Sequence, residues 1–220
     1  MTSPPYPVII RDQQLWLSNQ RCIFWENKKK LILSDTHFGK TGHFRKEGIG
    51  LPQGIYNDDL KRFVDIFQYF QPDELIIIGD LFHSVDNKEI NQFEKIRNEI
   101  IDIPVKLVQG NHDILPIKKY KELNIECLGP MYITPPFVFT HEIIIKNMLP
   151  EYFHFGGHIH PGIEIKRKAK QKVQLPCFYF NDQFAYLPAF SLFTGIHKIK
   201  MTKQDTAFMI TKSSIIPFVH

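Results

Sequence analysis

The sequence predicts a layered α/β fold that contains two β-sheets. Apolar strands alternate with amphipathic helices in the first half of the chain, and short strands dominate the second half. The 220 residues, of which 43% are hydrophobic, are enough to bury a substantial core. We therefore expect a single domain over residues 1–220, and this composition excludes a wholly disordered chain or a fibrous repeat.

Short apolar runs separated by polar turns predict the elements in order. Strands are predicted at 8–10, 15–17, 22–25, 31–33, 75–78 and 105–108. Apolar residues at helical spacing predict helices at 57–70 and 90–100, and a short helix near 116–123. In the second half, strands are predicted at 137–139, 152–155, 173–180, 185–188 and 207–210.

Composition also narrows the classes of function. No apolar run approaches the roughly 20 residues that span a membrane, and the first residues lack the apolar region of a secretion signal. The three cysteines, Cys22, Cys127 and Cys177, show no C-x-x-C spacing, which argues against a disulfide framework or a thiolate zinc site. We expect a cytoplasmic protein without a membrane partner. The net charge of +4 neither establishes nor opposes a polyanionic partner.

Five short polar clusters follow predicted strands, which is where α/β folds place their sites. They are Asp35-Thr36-His37, Gly79-Asp80, Gly110-Asn111-His112-Asp113, Thr140-His141 and Gly157-His158-Ile159-His160. Alone, each cluster is compatible with an ordinary turn or a half-buried histidine. Together they offer two carboxylates, four imidazoles and one amide, which suit two ions of manganese, iron or zinc about 3.5–4 Å apart.

In this order the clusters resemble the calcineurin-like metallophosphoesterase superfamily, over residues about 31–160. The resemblance implies a layered αββα sandwich of two mixed β-sheets, with a metal site at the carboxyl ends of the strands. It implies seven metal ligands: Asp35, His37 and His160 for one ion, Asn111, His141 and His158 for the other, and Asp80 as the bridge. It also implies that His112 acts as a catalytic residue beside the substrate phosphate.

Further stretches resemble one branch, the ligase-associated DNA damage response endonucleases of the PdeM type. These stretches are the strand 22–25, the segment 38–48 with the following Pro52, and the segments 175–178 and 187–195. The sequence Gly79-Asp80-Leu81-Phe82-His83 also resembles the SbcD-type DNA repair nucleases. His83 is therefore expected to orient His112, unless it is a polar residue that faces solvent. Thr36 departs from the branch, which more often has leucine there, but it is not a ligand position.

The branch implies a metal-dependent phosphodiesterase that acts as a DNA endonuclease in DNA repair. In this mechanism a hydroxide that bridges two divalent ions attacks phosphorus in line. The expected metal is Mn²⁺, with iron or zinc as alternatives. The expected partners are single-stranded or hairpin DNA and a DNA ligase, a helicase and an exonuclease of the same repair system.

Several polar residues are candidates for holding the substrate. Lys40 and Arg45 lie on a glycine-rich stretch after the first ligands and, with Asn111, are expected to bind phosphate. The two basic residues could instead pair with surface carboxylates. The basic run Lys166–Lys172 is either a solvated turn or a contact for a nucleic-acid backbone.

Two other functions stay open. A nucleotide- or lipid-linked pyrophosphatase of the same superfamily would need a larger apolar lid than residues 39–56 provide. A non-catalytic scaffold with the same fold typically lacks the histidine beside the phosphate, whereas His112 is present here.

Overall fold

The computed structural model describes residues 3–38, 54–82, 88–99, 101–166 and 172–219, which form two β-sheets and three α-helices. The strands of the first sheet, in their order across it, are β1 (Tyr6–Ile10), β2 (Gln13–Ser18), β3 (Cys22–Trp25), β4 (Lys30–Ser34), β5 (Glu74–Ile78), β6 (Val105–Val108) and β7 (Ile125–Cys127). Neighbours from β1 to β4 are antiparallel, and neighbours from β4 to β7 are parallel. The carboxyl ends of β4, β5 and β6 therefore lie at the same edge.

The second sheet takes up the rest of the chain. Its strands are β8 (Met131–Thr134), β9 (Phe137–Thr140), β10 (Phe153–Gly156), β11 (Pro161–Lys166), β12 (Lys172–Phe180), β13 (Phe184–Tyr186), β14 (His197–Lys198), β15 (Thr206–Ile210) and β16 (Ile215–Val219). Their order is β14-β11-β12-β13-β10-β9-β8, with β15 beside β12 and β16 beside β15. Because β10 runs parallel to β9 and β13 while β8 runs antiparallel to β9, this sheet is mixed as well.

Three helices pack against the outer face of the first sheet. They are α1 (Gly54–Phe70), α2 (Lys88–Glu99) and α3 (Ile117–Glu122). Phe63 of α1, Phe93 of α2 and Tyr120 of α3 are fully buried in one cluster with Leu33 and Ile77 of the sheet. Strands β4 and β5 are covered on both faces, which explains why their sequences are continuously apolar rather than alternating.

Phenylalanine side chains fill the space between the two sheets. Phe155 of β10 lies at the centre of this cluster, with its ring centroid 5.0 Å from that of Phe137, 5.6 Å from Phe139 and 5.2 Å from Phe153. Burial of these rings, with Ile76 and other side chains of the first sheet, holds the sheets face to face.

The prediction of a layered α/β fold with two mixed sheets is confirmed. Strands β7, β8, β11, β14 and β16 were not predicted, because they are very short, open with proline and glycine, or lie at an exposed edge. Among the described helices, none has the length and apolarity that crossing a membrane requires.

We expect Phe155→Ala to lower the free energy of unfolding by about 3–5 kcal/mol, because it leaves a cavity between the sheets. Urea denaturation of the metal-free protein measures this change. Ile145→Ala, at a side chain that is 72% exposed, is the control and should change stability by less than about 0.5 kcal/mol. If both substitutions lowered the free energy of unfolding equally, the phenylalanine cluster would not be what holds the two sheets together.

Candidate metal centre

All five polar clusters lie at one edge of the sandwich, where strands from both sheets end. Asp35 follows β4, Asp80 follows β5, and Asn111 follows β6 in the first sheet. His141 follows β9 and His158 follows β10 in the second sheet. The site is thus built from two sheets.

Asp35, His37 and His160 form the first group of potential ligands, with one atom of each within 4.8 Å of the others. The buried Asp35 Oδ1 lies 3.2 Å from His160 Nε2, yet it makes no hydrogen bond within the described part of the chain. His160 Nδ1 lies 3.3 Å from the carbonyl oxygen of Gly195. A proton on Nδ1 can donate to this oxygen, which leaves Nε2 as a lone-pair donor for a cation.

The second group surrounds His141. Its Nδ1 lies 3.2 Å from the carbonyl oxygen of Ile78, so in the neutral imidazole that binds a metal, a proton on Nδ1 leaves Nε2 with a free lone pair. That Nε2 is 3.2 Å from Asn111 Oδ1, 3.2 Å from His158 Nδ1 and 3.4 Å from Asp80 Oδ2. Four atoms with lone pairs converge on one point, where a bound cation would offset their mutual repulsion. The residues present therefore fit a metal ion.

Asp80 lies between the two groups. The same oxygen, Oδ2, is 3.4 Å from His141 Nε2 and 3.9 Å from His37 Nε2, and Oδ1 accepts the backbone N–H of His112 at 2.9 Å. This placement is what a bridging carboxylate requires. The assignment of individual ligands to two ions stays a prediction.

The charges at the site are strongly coupled. Burial opposes ionisation of Asp80, but its hydrogen bond and charge interaction with His141 hold the pKa of the carboxyl at about 2. Burial likewise opposes protonation of His141, but Asp80 and Asp35 outweigh it and raise the pKa of His141 to about 9. The field at this point favours a positive charge, whether a proton or a cation carries it.

The backbone at the site is in an unusual conformation. Asp35, His37, Asp80, His158 and His160 all have positive φ, between 46° and 66°. Side-chain-bearing residues adopt this region uncommonly, and such strain concentrates at functional sites. The backbone N–H groups of Asp35 and His37 donate to carbonyl oxygens in the loop after β5, and these bonds hold Asp35 and His37 in this conformation.

Two glycines allow the ligands to come close to the main chain. A Cβ atom on Gly157 would overlap Ser34 Oγ and Asp35 Oδ2, and one on Gly79 would overlap the His141 ring. Any other residue at these positions would displace a candidate ligand.

Asp113 has a role at the site that sequence reasoning missed. Its carboxylate accepts the backbone N–H groups of Asp80 at 2.8 Å, Leu81 at 2.9 Å and Gly110 at 2.8 Å. Burial raises the pKa of Asp113 to about 6, and the charge of Asp80 adds to this effect. Asp113 thus joins the loop after β5 to the loop after β6. In the sequence, the one feature that could have indicated this role is the position of Asp113 at the end of the Gly110–Asp113 cluster.

The predicted catalytic and substrate residues are only partly within the described structure. His112 is half-buried, and its ring centroid lies 5.6 Å from that of His37, beside the first group but outside both. The predicted residues His83, Lys40 and Arg45 lie outside the described residues, as do residues 167–171 of the basic run.

The sequence profile described as calcineurin-like phosphoesterase matches residues 28–210. The chain belongs to this family. The family predicted from the order of the motifs is thereby confirmed, and it makes the protein a metal-dependent hydrolase of phosphoesters.

Among solved structures, the chain is similar to the nuclease MPE of Pseudomonas putida. The two are 25% identical over 97% of this chain and 100% of that chain, with a TM-score of 0.82. The protein of unknown function AQ665 from Aquifex aeolicus is 18% identical over 64% of this chain and 82% of its own, with a TM-score of 0.44. No curated protein sequence matches significantly.

Gly157→Ala should weaken Mn²⁺ binding at least tenfold, or about 1.4 kcal/mol, because its Cβ displaces the Asp35 carboxylate. Gly195→Ala is the matched control, since a Cβ there meets no atom although the residue lies beside His160. Isothermal titration with Mn²⁺ measures both variants. Unchanged affinity in Gly157→Ala would contradict a metal site at Asp35.

Proposed function

We propose that the protein is a dinuclear metal-dependent phosphodiesterase that cleaves DNA. The observation that carries the proposal is the convergence of two ligand groups from two sheets on either side of one carboxylate, Asp80. The proposed ligands are Asp35, His37 and His160 for the first ion, Asn111, His141 and His158 for the second, and Asp80 for both. The likeness to a nuclease over nearly the whole chain supports nucleic acid as the substrate.

Different residues of the site would bind the metal ions, bind the phosphate and donate a proton. Two divalent ions, when bound, supply an activated water and neutralise charge on the phosphate. Asn111 directs Oδ1 toward His141, which leaves its amide N–H groups as donors for a phosphate oxygen. His112 lies outside the ligand groups and is placed to donate a proton or hydrogen bond to the leaving oxygen. We propose that His83 orients His112.

A basic face leads away from the candidate metal centre. Strand β11 begins directly after His160, and the His197 N–H of β14 donates to the His160 carbonyl oxygen at 2.9 Å. Farther along, Lys172 and Lys198 are more than half exposed and lie 3.3 Å and 3.0 Å from Glu164. One carboxylate faces two ammonium groups, so these three side chains together keep a net positive charge that suits the phosphates of a bound strand.

The finer parts of the proposal depend on the resemblance to the repair endonucleases. Lys40 and Arg45 would bind phosphate near the ions, and the run Lys166–Lys172 would contact the strand beyond them. Manganese as the metal, single-stranded or hairpin DNA as the substrate, the ligase, helicase and exonuclease partners, and a cytoplasmic location belong to the same proposal.

Purified protein with Mn²⁺ should cleave single-stranded or hairpin DNA as well as bis-p-nitrophenyl phosphate, because a pair of divalent ions can bind and activate the phosphate of any accessible diester. Duplex DNA and a nucleoside diphosphate with a lipid-like ester are tested beside them. Hydrolysis of the diphosphate alone, with metal occupancy confirmed, would refute the nuclease and favour the pyrophosphatase.

DNA cleavage by the wild type should fall as salt rises, whereas the Lys172→Ala/Lys198→Ala variant should cleave DNA more slowly already at low salt, with a salt dependence that is shallower by about one to two charges. Glu164→Gln should act in the opposite direction, because it frees both ammonium groups. Neither variant should change hydrolysis of bis-p-nitrophenyl phosphate. If the lysine variant lost equal activity on DNA and on bis-p-nitrophenyl phosphate, Lys172 and Lys198 would not contact the bound DNA.

His112→Ala should keep both metals and lose about 10²–10⁴-fold in the rate of DNA cleavage, since a positioned proton donor contributes that much. The metal content of the same preparation is measured by elemental analysis. An unchanged rate on DNA would show that His112 does not touch the reacting phosphate.

A further inference from the structure

The segment Ala189–Leu192, which follows β13, lies beside the loop that carries Asp35. The Phe190 N–H donates to the carbonyl oxygen of Ser34 at 2.8 Å, and the Ser191 N–H donates to that of Asp35 at 3.2 Å. These bonds reach the backbone of a candidate ligand that has a φ of 52°. A strained conformation persists only where its surroundings hold it.

A buried carboxylate holds this segment from the other side. Ser191 Oγ donates to Asp59 Oδ2 at 2.9 Å, and the Leu192 N–H lies 3.2 Å from both oxygens of the same carboxylate. Asp59 lies on α1, and its side chain is 6% exposed. The helix and the segment are therefore joined by a charged group that water scarcely reaches.

Two arginines complete the network. Arg62 Nη1 donates to Asp59 Oδ1 at 2.7 Å and to the Phe190 carbonyl oxygen at 3.0 Å, and its guanidinium lies 4.4 Å from the centroid of the Phe190 ring. Arg21 Nη1 donates to the carbonyl oxygens of Ala189 at 3.1 Å and Ser191 at 2.7 Å. Three consecutive carbonyl groups of the segment thus accept from a guanidinium.

Stability alone does not account for this arrangement. Buried ion pairs lose much of their attraction to desolvation, and a hydrophobic replacement is often as stable. Here all three charged groups bind the backbone of one short segment, although Arg62 also donates to the side-chain and carbonyl oxygens of Gln20, and that segment contacts the backbone of Asp35. The network therefore fixes the position of the backbone at Asp35 in the candidate metal centre.

We propose that Asp59, Arg62 and Arg21 are positioning residues that hold Asp35 in the conformation required to bind metal. They touch neither the proposed ions nor the substrate and act through the segment Ala189–Leu192. The proposal rests on the proposed function, because it presumes that Asp35 is a ligand.

Asp59→Asn tests the proposal, since it keeps the shape, removes the charge and replaces one carboxylate oxygen, the one that accepts from Ser191 or the one that accepts from Arg62, with an N–H₂ group that cannot accept a hydrogen bond. We expect Mn²⁺ affinity to fall at least tenfold. In the metal-free protein, hydrogen exchange of the Phe190 and Ser191 amides should become faster. Ser191→Ala removes one link only, and it should reduce the affinity about threefold; it serves as the test if Asp59→Asn does not fold.

Glu74→Gln is the matched control. It breaks another partly buried ion pair, in which Glu74 lies 2.7 Å from Lys30 and 3.0 Å from Lys106 at the amino ends of β4, β5 and β6. It should lower the unfolding temperature without changing Mn²⁺ affinity or the exchange of the Phe190 and Ser191 amides.

Unchanged affinity and unchanged amide exchange in both Asp59→Asn and Ser191→Ala would overturn the proposal, as would an equal loss of affinity in Glu74→Gln. The exchange measurement needs no metal, so it separates this inference from the proposed function. If the wild type cleaved no DNA while Asp59→Asn still loosened the two amides, only the nuclease would be refuted.

Discussion

The candidate site depends on the packing of the two sheets against each other. Asp35 and Asp80 stand at the ends of strands in the first sheet, whereas His141 and His158 stand at the ends of strands in the second. The packing of the two sheets brings one ligand atom each of Asp35, Asp80 and His141 within 4.8 Å of the others. The phenylalanine cluster fixes the distance and rotation between the sheets, so the geometry of the ligands follows from the core.

Carboxylates and imidazole nitrogens that can each bind a proton or a cation are crowded together at the edge where the strands end. The carboxylates of Asp35 and Asp80 and the ring nitrogens of His141 and His158 lie closer together than their lone pairs favour. A ligand that binds only the folded state adds its binding free energy to the stability of that state. The protein should therefore be more stable with metal than without it, and the loops at this edge should be the part that gains most.

The sequence was informative where a polar residue interrupts an apolar pattern. Asp35, Asp80 and His141 each follow a buried strand, so their shared location could be predicted from strand direction alone. Asp59 and Arg62 could not be recognised in this way, because charges three residues apart on a helix usually face solvent. Only the tertiary structure shows that Ala189–Leu192 covers them. The short strands β7 and β14 are likewise defined by their neighbours rather than by their own composition.

The described strands divide cleanly along the chain: β1 to β7 form the first sheet and β8 to β16 the second. Asp35, His37, Asp80 and Asn111 consequently belong to the first half, and His141, His158 and His160 to the second. During synthesis the first half emerges alone, with an uncovered apolar face and an incomplete coordination sphere. Neither proposed ion has a full set of ligands until the second sheet has docked, so occupancy of the centre reports that the whole chain has reached its native arrangement.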